Sequence, residues 1–277
     1  ILWVSRPDHE APFWEVRQRV MSDYADSVLH ISLHPLSSAQ CRTLVDSLLQ
    51  MDHLPPEIER AILSRAEGNP LFVEEVLRTL IEEGTLVRDD NSWRVDRSVG
   101  ITEIPDTLQG VLTARIDRLG GSMKQVVQIA AVVGRVFPRH VLDRVVDDPS
   151  ILDECLAELL IAEIIRERAR DPDPEYIFKH ILTQEAAYQS LLTQQRKAYH
   201  RRVADALARL FWERGEEYSG LVAAHYERAE AWPRALRYLR RAGDAARTSF
   251  AHKEAIDDRE LERLALTGAL VTIDAIG

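Results

Sequence analysis

Ala66-Glu67-Gly68-Asn69-Pro70-Leu71-Phe72-Val73-Glu74-Glu75-Val76-Leu77-Arg78-Thr79-Leu80-Ile81-Glu82-Glu83-Gly84 reads as the end of one helix, a sharp turn and a second helix. Gly68 can adopt a positive φ and close the first helix. Asn69 is a good N-cap, because its side-chain oxygen can accept from the free amides of the first turn. Pro70 suits the first helical position, where its missing N–H costs nothing. Phe72, Val73, Val76, Leu77, Leu80 and Ile81 then share one face. Glu74 and Glu75 lie near the positive end of the helix dipole. By local chemistry alone, Gly-Asn-Pro is a helix start.

Upstream of this turn, Ile1 to Ser5 and Val28 to Leu33 have the pattern of strands, and Glu15 to Arg19 that of a short helix. The chain opens on Ile rather than Met, and the sequence is expected to begin inside a domain. Ser37 and Gln40 stand three apart, as in a capping box. The helix they open has Leu44, Val45, Leu48 and Leu49 as its stripe. Pro56 starts another, with Ile58, Ala61 and Ile62 inward.

Downstream, Thr85–Arg88 and Ser92–Val95 flank a polar turn as a β-hairpin would. Asp106 and Gln109 predict a second capping box. Met123 to Val133 is apolar nearly all round and belongs in a core. Helices are expected from Arg139 to Val146 and from Ile151 to Ala162. A second hairpin follows, Ile164–Arg168 with Glu175–Phe178. Three helices and a β-wing make the winged-helix arrangement. Arg196 to Trp212 predicts a long amphipathic helix. Ala223–Ala229 and Trp232–Gly243 predict a helix pair with the small and aromatic residues of tetratricopeptide-like repeats. Since about three repeats are needed to bury a solenoid core, the array is expected to continue.

Composition narrows the function. The chain has 277 residues, enough for two or three domains, and a net charge of −10. Excess acid argues against a dedicated nucleic-acid or membrane-surface protein. Cys41 and Cys155 form no metal-ligand pattern and are expected to be buried free thiols of a reducing compartment. With no apolar run long enough to span a bilayer and no signal peptide, the expected location is cytoplasmic.

Gly68 to Glu75 followed by an apolar helix resembles the lid of STAND-type signalling ATPases. These AAA-related switches occur in maltose-regulator-like transcription factors and beside class III adenylate or guanylate cyclase domains. Ile104–Gln109 resembles the same family, and so does Phe178–Leu182 with Glu185–Tyr188. The resemblance implies that Pro70, held by Gly68 and Asn69, packs on the adenine base. It implies that Arg6 sits near the nucleotide phosphates. It implies that His180 points at those phosphates and reports ADP against ATP. The cofactor of the complete protein would be ATP or ADP with Mg2+. The implied architecture is mainly α and multi-domain: residues 1–35 as the edge of an α/β NTPase core, 36–100 as a helical lid with a hairpin, 101–200 as a winged helix and 201–277 as the start of the repeats.

The Gly-x-x-x-x-Gly-Lys-[Ser/Thr] phosphate loop is absent from the sequence. Without its positioning and charge neutralisation, the chain alone is expected not to hydrolyse ATP. The expected role is a nucleotide-sensing switch module that relays its state to repeats binding a protein partner or small effector. An upstream NTPase core, and possibly a cyclase domain, would be its fused partners. Two other readings compete. A DNA-binding winged helix would need a basic recognition helix, whereas the segment Ile151 to Ile165 carries Asp153, Glu154, Glu158 and Glu163 and no basic residue. A helical interaction scaffold would keep the motifs as structure only.

Overall fold

The computed structural model describes residues 2–5, 13–49, 54–89, 92–96, 104–169, 173–211, 215–253 and 270–275. The protein is mainly helical. It divides into two units, one built from Ile1–Leu108 with His252–Gly277 and the other from Gln109–Ala251.

The first unit opens with β1 (Leu2–Ser5), α1 (Phe13–Asp23) and β2 (Val28–Leu33). Three helices follow: α2 (Ser38–Leu49), α3 (Pro56–Ala66) and α4 (Pro70–Glu82). The capping box forms, with Ser37 N donating to Gln40 Oε1 at 2.8 Å and Gln40 N to Ser37 Oγ at 3.3 Å. Cys41 and Val45 of α2, Ile58 and Ile62 of α3, and Phe72, Val73, Val76, Leu77 and Leu80 of α4 are buried. Leu48, expected in the α2 stripe, and Ile81, expected on the α4 face, are instead exposed. Each sits at the rim, one residue beyond the arc that meets the neighbouring helices. The antiparallel hairpin of β3 (Leu86–Asp89) and β4 (Ser92–Val95) then forms as its polar turn predicts.

The second unit contains α5 (Leu108–Asp117), α6 (Gly121–Val133), β5 (Val136–Pro138), α7 (Arg139–Val145) and α8 (Leu152–Ile161). It continues with β6 (Ile165–Ala169), β7 (Glu175–Phe178), α9 (Ile181–Gln189), α10 (Thr193–Leu210), α11 (Gly215–Arg228) and α12 (Trp232–Lys253). Its core is α6, whose Val126, Val127, Ile129, Ala130, Ala131 and Val132 are buried against α7, α8, α9 and α10. The predicted wing is present as a three-stranded antiparallel sheet in the order β5-β7-β6. Gly134 to Pro138 reads as a helix break, but its last three residues pair with β7, Val136 opposite Ile177. Phe137 supplies the reason: it is fully buried, with its ring centroid 5.4 Å from that of Phe178. Buried Arg115 of α5 donates to the carbonyl of Ala162, at the C-terminal end of α8.

The last two helices touch each other, the Tyr226 ring of α11 stacking on that of Tyr238 of α12 with centroids 5.7 Å apart. The main partner of α11 is α10. Ala204 and Ala206 of α10 and Ala223 of α11 are buried, and small residues let two helices approach closely. Among the described side chains of α12, only Ala235 is buried. Residues Leu270–Ala275 form a further strand, β8, which lies between β1 and β2 and runs parallel to both. Its Val271-Thr272-Ile273 core is β-branched, which suits a strand and not a helix.

Candidate functional site

The turn between α3 and α4 gathers three of the residues singled out by sequence. Ala66 is the last helical residue of α3, and Glu67 leaves it in the left-handed region at φ 48°. Gly68 follows at φ 78°. Two successive left-handed residues reverse the chain, and Asn69 N then donates back to Ala66 O at 2.7 Å. Asn69 is the N-cap of α4, its Oδ1 accepting from Leu71 N at 3.0 Å, and Pro70 occupies the first turn.

The glycine is demanded twice. Its φ disfavours any residue with a Cβ. An added Cβ would also lie 2.5 Å from Leu36 O and 2.8 Å from Pro35 Cβ. This close approach is locked by a bond from Leu36 N to Gly68 O at 2.8 Å. The space at Gly68 is therefore filled by the chain itself. Asn69 and Pro70 are different, since both are exposed at the surface. Behind them one face of α4 is buried, including Glu75 at 1% exposure. Glu74 pairs with Arg78 one turn on, at 3.6 Å.

Two neighbouring expectations resolve differently. Arg6 lies outside the described residues, so its predicted place near phosphates has no geometry here. Asp106, predicted to cap α5, instead carries an ion pair with Arg65 Nε at 2.7 Å. The helix starts at Leu108, one residue later than expected, which puts Thr107 rather than Asp106 next to its first residue.

His180 belongs to the second unit. It is the N-cap residue of α9, extended at φ −127° and ψ 141°, and it makes no side-chain cap bond. Its carbonyl accepts from Thr183 N at 3.2 Å and Gln184 N at 3.4 Å. The backbone thus starts the helix and leaves the half-buried imidazole unused as a cap. Just before it, Lys179 pairs with Glu163 at 2.7 Å and ties the end of the wing to the start of α9.

A buried polar chain that the sequence reading missed lies at the junction of α9, α10 and α11. Tyr188 Oη lies 2.9 Å from His200 Nε2, and His200 Nδ1 lies 2.9 Å from His225 Nδ1. Both histidines are 1% exposed. Burial first, and then the charge of Arg228 and Arg196, lowers His200 to about 4. Burial, then His200 and Arg228, lowers His225 to about 3. A signal was available: His200 precedes buried Val203 and Leu207 by three and seven residues, and so shares their face. Nearby, Asp205 accepts from Tyr226 Oη and from Arg234 Nη1, both at 2.7 Å. Burial, then the bond to Asp205, pushes the Tyr226 phenol up to about 12.

Cys41 and Cys155 are buried and free, and burial raises both thiols. Such cysteines are poor nucleophiles. Among the described residues no helix is long and apolar enough to cross a membrane.

The model of a domain of unknown function, DUF8739, matches residues 37–92, the stretch from α2 to the start of β4. The chain is also similar to the uncharacterized protein R02095 of Rhizobium meliloti (strain 1021), with 26% identity over 220 residues. That similarity covers 77% of this chain and 21% of the relative, so the chain spans about a fifth of the length of the curated protein it matches.

Proposed function

We propose that this chain is the regulatory part of a nucleotide-dependent signal-transduction switch of the STAND type. It senses ADP against ATP through a helical lid and a winged helix, and relays the state to helical repeats that bind a partner or effector. One observation carries this reading: Pro70 is exposed at the head of a helix whose inner face is buried, on a turn whose glycine is fixed by backbone packing. A rigid, apolar and exposed ring is suited to stacking against a planar base. Gly68 holds the turn, Asn69 caps the helix, and Pro70 offers the contact. His180 stands at the start of α9, and an imidazole is a side chain that can donate to phosphate oxygen. When bound, the nucleotide with Mg2+ would supply the charge that distinguishes the two states. The phosphate loop is absent from this sequence, so the chain by itself is assigned no hydrolytic role. A cytoplasmic location and a larger host protein accord with this reading.

Direct DNA binding is disfavoured by α8, whose Asp153, Glu154 and Glu158 are all exposed. Such a face repels a phosphate backbone.

The test is photolabelling with 8-azido-ADP and magnesium at millimolar concentration, beside calorimetric titration of ADP. The titration should not saturate, because no phosphate loop is present. The label should nonetheless mark the peptide around Pro70, and Pro70→Gly should remove the mark. Labelling confined to other peptides would sink the adenine assignment. A switch also requires different contacts in its two states. His180→Ala should therefore weaken whatever preference the protein shows between ADP and ATP.

A further inference from the structure

The second unit contains a basic, aromatic-edged groove along α10 that the nucleotide reading does not use. Its deeper part is a cavity of about 270 Å3 lined by Arg144 of α7 and by Arg202, Asp205, Ala206, Arg209 and Leu210 of α10. A second hollow of about 410 Å3 shares Asp205 and Arg209 with it and adds Tyr226 and Tyr238. The two tyrosine rings are stacked, with centroids 5.7 Å apart. Arg209 therefore stands between a cationic pocket and an aromatic shelf. Together the two hollows have the size of a small-molecule site.

The charges here are unevenly satisfied. Among the described residues, the one carboxylate in the lining, Asp205, is already engaged by Arg234 and the Tyr226 hydroxyl. Arg202 is held by Asp147 at 2.7 Å, which fixes its guanidinium in place. Among the described residues neither Arg144 nor Arg209 has a carboxylate partner. Arg202 and Arg209 are seven residues apart, two turns of one helix, and so point the same way. In a protein of net charge −10, two uncompensated arginines beside a third, fixed one form a local positive well. Guanidinium groups match phosphate through paired N–H donors and hold it better than an ammonium would.

We propose that this groove binds a small organic phosphate. The phosphate lies among Arg144, Arg202 and Arg209, and a planar or apolar body lies against half-buried Tyr238, which buried Tyr226 backs. The assignment does not rest on the switch reading, because none of these residues belongs to the unit that carries the Pro70 turn.

The experiment is calorimetric titration of the whole chain with phenyl phosphate, inorganic phosphate and phenol at constant ionic strength. Phenyl phosphate should bind most tightly. The double variant Arg144→Glu/Arg209→Glu should weaken it roughly tenfold or more. Tyr238→Ala should reduce phenyl phosphate to the level of inorganic phosphate and leave the latter unchanged. Arg144 and Arg209 are exposed, so thermal melts of the charge variant should match the parent, and Arg209→Lys should retain most of the binding. Phenyl phosphate binding no tighter than inorganic phosphate, or binding untouched by the double variant, would overturn the proposal. So would a single-stranded oligonucleotide that binds the groove when phenyl phosphate does not, since that marks a polyanion surface. A Pro70→Gly variant should leave all these titrations unchanged, which keeps this site separate from the nucleotide assignment.

Discussion

His200 and His225 face each other through their Nδ1 atoms at 2.9 Å, both buried, so at least one ring must present a lone pair. Tyr188 on the far nitrogen of His200 makes the chain of bonds one-directional. Either the phenol donates to His200 and His200 to His225, or every bond reverses. A proton added to both rings would set two N–H groups against each other. The contact therefore needs neutral imidazole.

Acid should loosen this junction. Both folded values lie below the ordinary 6.5, at about 4 and about 3, so the unfolded chain takes up protons first as pH falls. The stabilisation is complete above pH 6.5 and is lost as pH falls through the folded values. Denaturant midpoints measured across that range should fall with acid. His200→Gln/His225→Gln should flatten the profile, and an unchanged slope in that variant would assign the acid sensitivity elsewhere.

Gly68→Ala should be among the costliest small substitutions in the first unit. It combines a left-handed φ with a clash against Leu36 O, and a loss of about 2 kcal/mol or more is expected. Asn69→Ala, which removes only the cap bond to Leu71 N, should cost about 1 kcal/mol. Urea denaturation of both variants checks the order. Equal losses would mean that the packing at Leu36 relaxes freely.

Arg115→Leu should destabilise the second unit by about 1–3 kcal/mol, because the carbonyl of half-buried Ala162 loses a charged donor at a helix C-terminus. Thermal melting would show it. A neutral result would mean that water replaces the guanidinium.

The acidic face of α8 predicts no retardation of duplex DNA in a mobility assay at about 0.1 M salt. A salt-sensitive shift would reopen the winged helix as a DNA reader.

Local chemistry was readable wherever a residue's partner lies within one turn. The Ser37–Gln40 box, the Asn69 cap, Pro70 in the first turn and both hairpins depend on neighbours in sequence. Contacts set by distant partners were not readable. Asp106 is taken by Arg65, 41 residues away. Phe137 turns an apparent helix break into a strand by packing on Phe178. Leu270–Ala275 acquires its place only because β1 and β2 leave a gap that it fills. The groove arginines are spread over α7 and α10, and spacing within one helix reveals only Arg202 and Arg209. Gly68 was read correctly as a turn residue, but the reason for it, the approach of Pro35 and Leu36, lies outside the Gly68-Asn69-Pro70 turn.

That approach makes the turn a junction. Leu33 ends β2, and Leu36, three residues later, is pinned by its amide to Gly68. Pro70 is two residues beyond the pin on the other side. One hydrogen bond and a three-residue link thus join the proline turn to the end of a strand, and they meet at a position where no side chain fits.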